Sequence, residues 1–149
     1  MKKMFIIFVL LFLVGCNNEE KKTFEFAGEI QKIIVIGQGT NAKLDKQEVE
    51  NAAEIKLFED AMQDASISSP SQPHTNEGPL YKLEVIYDDN SKEIIDIWYY
   101  ASATTGSFYM NDRYSLNEEA VPALIELLES YKEEKWFTEQ NEDTIPNLT

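Results

Sequence analysis

Leu80-Tyr81-Lys82-Leu83-Glu84-Val85-Ile86-Tyr87 runs into Asp88-Asp89-Asn90-Ser91, and Lys92-Glu93-Ile94-Ile95-Asp96-Ile97-Trp98-Tyr99-Tyr100 runs out of it. Tyr81, Leu83, Val85 and Tyr87 alternate with Lys82, Glu84 and Ile86. Beyond the polar cluster, Ile95, Ile97 and Tyr99 alternate with Ile94, Asp96 and Trp98. A two-residue period on both sides of a turn cluster predicts a β-hairpin. Its register is open at this level. A loop of two or four residues sets Val85 opposite Ile94. An odd loop pairs Val85 with Ile95 and Leu83 with Ile97. The odd loop is preferred, because it keeps the aliphatic residues together and a one-residue slip exchanges the faces.

Upstream, Phe24 to Ile36 is dense in β-branched residues and predicts a strand whose second half is covered on both faces. Gly37-Gln38-Gly39-Thr40-Asn41 breaks it. Asn51 with Glu54 forms a capping box. Ala52, Ile55, Phe58, Met62 and Ala65 then fall on one helical face. Asp45 with Glu48 offers an earlier start, and Gln47 to Glu50 can instead be extended. Ser66 to Pro79 reads as a long loop holding the one histidine, His74. Downstream, Ala101 to Ser107 is a turn and Phe108-Tyr109-Met110 a short strand closed by Asn111-Asp112-Arg113. The last helix begins near Ser115, with Ser115 and Glu118 as its capping box. Pro122 must then sit in or near the first turn. Val121, Leu124, Leu128 and Tyr131 line its buried face, and Trp136 and Phe137 dock its end. The order predicts an α+β domain: an antiparallel sheet of about four strands with two helices packed on one face.

The N-terminus has a different character. Lys2 and Lys3 precede an unbroken apolar run, Met4 to Val14. As a helix the run covers about half of the ~30 Å bilayer core, so it reads as a secretory signal peptide. Leu13-Val14-Gly15-Cys16 resembles the lipobox of bacterial lipoproteins. That resemblance implies cleavage before Cys16 and a diacylglyceryl thioether on its sulfur, usually with acylation of the new amine (a palmitate-type anchor). Two or three chains hold a membrane stably where one does not. The expected organisation is therefore a signal peptide over 1–15, lipidated Cys16 and a polar tether over 16–23, one domain over 24–137 and a flexible tail over 138–149. The expected address is the outer face of the cell membrane.

Composition narrows function. The formal net charge is −14. Loss of Lys2 and Lys3 with the leader makes the chain still more acidic. This argues against nucleic-acid binding and against the domain lying flat on anionic lipid. Cys16 is the only cysteine, so no disulfide joins the domain internally. Gly37-Gln38-Gly39 lacks the third glycine of a dinucleotide loop and no Gly-Lys-Ser/Thr follows, so it reads as a turn. Asp88-Asp89-Asn90-Ser91 lacks the glycine and the twelfth-position glutamate of a calcium loop. His74 has no His or Cys neighbour with which to hold zinc. There is no G-x-S-x-G or S-x-x-K. No cofactor, metal site or catalytic residue is expected, and the protein is read as not an enzyme; a small envelope hydrolase using carboxylates is the alternative.

The aromatic residues carry more. Trp98, Tyr99, Tyr100, Phe108, Tyr109 and Tyr114 crowd into a short span. With Tyr99 in the core, alternation turns Trp98 and Tyr100 outward. Trp98, Tyr100 and Tyr109 are the candidate partner surface, since exposed Trp and Tyr make binding hot spots. The competing reading, a second sheet face lying under a helix or loop, stays open. The expected role is a non-catalytic binding or regulatory module recognising an envelope protein or cell-wall component, or an accessory subunit of an envelope complex.

From Asn51 to Leu128 the layout resembles the YhfM-like domain of small lipoproteins of Bacillus-type bacteria. The helix around Ile55, Phe58 and Ala61, the Tyr81-x-Leu83-x-Val85 strand, Ile97-Trp98 and Tyr114-Ser115-Leu116 carry the resemblance. It implies a Gram-positive surface lipoprotein and brings no catalytic residue.

Overall fold

The computed structural model describes residues 22–68 and 78–142, with side chains in the last helix described as far as residue 133. The lipobox, His74 and the side chains of Trp136 and Phe137 lie outside the described residues.

Six strands form one antiparallel sheet: β1 (Ile30–Gly37), β2 (Gln47–Val49), β3 (Tyr81–Tyr87), β4 (Lys92–Tyr100), β5 (Thr105–Met110) and β6 (Asp112–Ser115). Their spatial order is β2-β1-β3-β4-β5-β6. Two helices, α1 (Ala52–Met62) and α2 (Val121–Glu142), complete the α+β fold. The expectation of about four strands is thus corrected to six. β2 and β6 span three and four residues, too short to carry a period. The turn expected over Asn111 to Arg113 is made on Asn111 alone, at φ 65°, and Met110 pairs directly with Asp112.

The hairpin loop is odd, the preferred of the two expectations. Its pairing is shifted by two residues from the expectation: Leu83 faces Ile95, Tyr81 faces Ile97, and Val85 faces Glu93. Asp88, Asp89 and Asn90 make a three-residue loop, with Asn90 in the left-handed region at φ 64°. The Asp89 carboxylate accepts from the Ser91 amide at 2.8 Å. Those turn bonds, the Ser91 hydroxyl first, hold Asp89 below its ordinary carboxylate range.

Ile33, Val35, Leu83, Val85, Ile95, Ile97 and Phe108 point inward and share one core with Ile55 and Phe58 of α1 and Val121, Leu124 and Leu128 of α2. Both helices therefore cover the same sheet face. Asn51 caps α1 by accepting from the Ala53 amide at 2.8 Å. Ala52 is exposed rather than buried. The Ser115–Glu118 capping box does not form. Ser115 belongs to β6, and its hydroxyl lies 3.0 Å from that of Ser68. Asn117 takes over, accepting from the Glu119 amide, and α2 starts at Val121 with Pro122 in its first turn. The helix backbone continues to Glu142, past Phe137.

β1 is covered on its inner face only; Ile34 and Ile36 on the other face stay half-exposed. Ser66 to Ser68, read as loop, lies extended along β6: Ile67 bridges Tyr114, and Ser68 donates to the Arg113 carbonyl. Thr23 in turn bridges Ser66, and Lys22 forms an ion pair with Asp112. Phe24 then enters the core edge-on against Phe108 and Tyr114.

Gly37 ends β1 where the chain folds back; a Cβ there would meet the Asn41 carbonyl oxygen at 1.9 Å, whereas at Gly28 it would make ordinary contact with Tyr87 at 3.8 Å. Gly37→Ala should lower stability by at least about 2 kcal/mol and Gly28→Ala by less than about 0.5 kcal/mol, as read from urea unfolding midpoints.

Candidate functional site

Strand β4 presents its residues alternately to core and solvent, and α2 determines which set is buried. Tyr99 donates its hydroxyl to the Glu129 carboxylate, and Lys132 bonds the same carboxylate at 2.7 Å. Lys132 also sits 5.7 Å from the Tyr99 ring centroid. Tyr81 stacks on Tyr99 at 6.2 Å and donates to the Leu128 carbonyl at 3.0 Å. Burial pushes the Tyr81 hydroxyl up to about 12. Burial, and then the bond to Glu129, push Tyr99 higher still. Burial also acts to raise Glu129, but the Lys132 and Tyr99 hydrogen bonds and the Lys132 charge outweigh it and hold the carboxyl below its usual range.

With Tyr99 held inside, Trp98 and Tyr100 face outward. The β4–β5 register sets Asp96 opposite Tyr109, Trp98 opposite Ser107 and Tyr100 opposite Thr105, so Tyr109 shares their face. The three candidate residues are brought together there. Tyr99, Phe108 and Tyr114 form the inward set, with Phe108 and Tyr114 stacked at 5.1 Å. Tyr100 is 44% exposed, Tyr109 46% and Ile94 42%, while Trp98 is half-buried. Both described helices pack on the opposite face, with Ile55, Phe58, Val121, Leu124 and Leu128 in the core.

Sequence reasoning missed Arg113. Read as part of a turn, it pairs with Tyr109 across β5–β6. Its guanidinium lies 4.3 Å from the centroid of the Trp98 ring and donates to the Ser107 hydroxyl at 3.2 Å. That contact orients the indole by cation–π attraction. Asp96, between Lys82 and Tyr109, keeps one carboxylate oxygen buried without a hydrogen-bond partner. Beside Trp98 and Tyr100 opens a groove of about 210 Å³, lined further by Thr105, Gly106, Ser107, Ser115 and Leu116, with Glu118 at its exposed margin.

Gly37 and Gly39 shape a turn in which the Gln38 amide donates to the Leu80 carbonyl at 2.8 Å. Among the described residues no three His, Cys, Asp or Glu side chains gather to hold a metal. Asp89 and Glu129 are both shifted toward the ionised form, opposite to what a general acid needs.

The family model described as YhfM protein matches residues 27–134. The chain belongs to the YhfM family. The match reaches back beyond Asn51 to include β1 and β2, and it takes in the whole sheet with both helices as far as the described side chains of α2. It therefore also contains all three outward aromatic residues of this YhfM member. No curated protein and no solved structure gave a significant match.

The raised phenols link stability to alkali. Unfolded tyrosines ionise near about 10, while folded Tyr81 resists until about 12. The Tyr81 contribution to stability should be level below pH ~10 and be lost as pH rises toward ~12, because its phenol in the unfolded state releases a proton first. Thermal unfolding across that window should show the fall, and Tyr81→Phe should reduce it.

Proposed function

We propose that this protein is a lipid-anchored module on the outer face of the cell membrane that binds an envelope protein or cell-wall component through the uncovered face of its sheet. The observation that carries the reading is the joint placement of Trp98, Tyr100 and Tyr109 on that face, with Ile94 exposed beside them. Large aromatic side chains left in water on an ordered strand, with an arginine stacked among them, have the composition of a binding hot spot.

Size and charge support it. Six strands at about 4.8 Å spacing extend roughly 24 Å, and a nine-residue strand about 30 Å, a footprint on the scale of the roughly 800 Å² per partner in ordinary interfaces. Lys32, Lys82, Lys92 and Arg113 share the face with Glu48, Glu84 and Asp96, near balance in a chain of net charge −14. Lys32 and Lys92 are paired with Glu48 and Glu84 at 3.0 and 3.3 Å. The acid excess lies elsewhere, so a partner meets little charge repulsion here.

The proposed anchor is Cys16. Lys22 and Thr23, at the end of the expected tether over 16–23, are held against Asp112 and Ser66. The six residue steps from Cys16 to Lys22 span at most about 22 Å, so an anchored domain works close to the bilayer. Mass spectrometry of the natural protein should find a chain starting at acylated Cys16, and Cys16→Ser should leave the leader attached.

Tyr100→Ala combined with Tyr109→Ala should reduce partner capture from envelope extracts by more than tenfold. Unfolding free energy should change by no more than about 0.5 kcal/mol per site, since both residues are surface-exposed. Unchanged capture by a folded double variant would remove the open face from consideration.

A further inference from the structure

The groove beside Trp98 and Tyr100 has a lining specific enough to indicate its ligand. We propose that it holds one pyranose ring of a neutral saccharide, a deeper statement that rests on reading the open face as a recognition surface. Its lining combines two aromatic residues, Trp98 and Tyr100, with the hydroxyl-bearing Thr105, Ser107 and Ser115 and with Glu118; the Ser107 hydroxyl also accepts from Arg113, and that of Ser115 lies against Ser68. Such a set suits a molecule with one apolar C–H face and a rim of hydroxyl groups. Rings stack on the first, and hydroxyl and carboxylate oxygens bond the second. At about 210 Å³ the groove has room for a single small ring and not for a folded segment.

Other ligand chemistries fit less well. Among the described residues no lysine or arginine lines the groove itself, and the Arg113 guanidinium that borders it is engaged with the Trp98 ring and the Ser107 hydroxyl, so phosphate or carboxylate ligands meet little counter-charge. A cation would meet Glu118. However, the positive end of α2 begins three residues later and offsets that charge, and Trp98 already carries the Arg113 guanidinium. A peptide adding as a strand finds no free edge: β5 is paired on both sides, and the Leu116 amide bonds the Gly106 carbonyl at 3.0 Å. Tyr109 lies outside the lining, and Arg113 meets it only through Trp98 and Ser107, so a change at Tyr109 tests the rest of the open face apart from the groove.

The test is a ¹⁵N NMR titration of the full chain in mild detergent with a neutral N-acetylglucosamine trisaccharide. Shifts should concentrate at the Trp98 indole, Gly106 and Ser107. Tyr100→Ala and Glu118→Gln, both at exposed positions, should each weaken binding about tenfold, and Tyr109→Ala should leave it unchanged. Equal affinity in the Tyr100→Ala and Glu118→Gln proteins overturns the proposal, as does a response to inorganic phosphate or an oligolysine peptide in place of the sugar. An inert trisaccharide with partner capture still sensitive to Tyr109→Ala overturns the saccharide assignment while the docking face stands. Inert sugar and insensitive capture remove both.

Discussion

The hydrogen bond from Tyr99 to Glu129 ties strand to helix at the point on which the open face depends. A strand has two sides and a period of two. Once α2 holds Tyr99 inside, Trp98 and Tyr100 fall on the opposite face of the sheet. The bond runs from the buried Tyr99 ring to the half-exposed Glu129, so Tyr99 depends on it more than Glu129 does. Lys132 completes the arrangement by supplying charge to Glu129 and lying against the Tyr99 ring. A helix on one side of the sheet thus determines which side chains appear on the other.

The sequence made the faces legible and left the edges obscure. Alternation through Tyr81 to Tyr87 and Ile95 to Tyr99 was enough to sort core from surface, because a single-residue error would bury Asp96 and expose Ile97. The pairing itself was read two residues out. Such a slip keeps every side chain on its face, so hydrophobic pattern cannot detect it. The three-residue loop closed by Asn90 decides it, at the cost of placing Glu93 opposite Val85, where the Tyr87 hydroxyl donates to it. β2, β6 and Ser66–Ser68 had no periodic signal at all; their reason for being extended is a neighbouring strand distant in sequence. The three candidate contact residues were legible from alternation and a crowd of aromatics. Arg113 was not, because its role depends on a register that brings it over Trp98.

An uneven distribution of charge connects fold to proposed role. A net charge of −14 suits solubility and holds the molecule away from anionic surfaces. The sheet's outer face departs from that balance, with bases and acids nearly matched and aliphatic or aromatic residues between them. Membership of the YhfM family gives this architecture a place among known chains and leaves its ligand to be argued from the surface itself.

The way the sheet ends has a further consequence. On one margin β6 is capped by Ser66–Ser68 and then by Thr23; on the other, β2 offers only three residues. Exposed long strand margins are templates for chain-to-chain pairing, and very short or covered ones are not. Molecules of this shape, packed densely side by side on a surface, would have little backbone available for fusing into fibres.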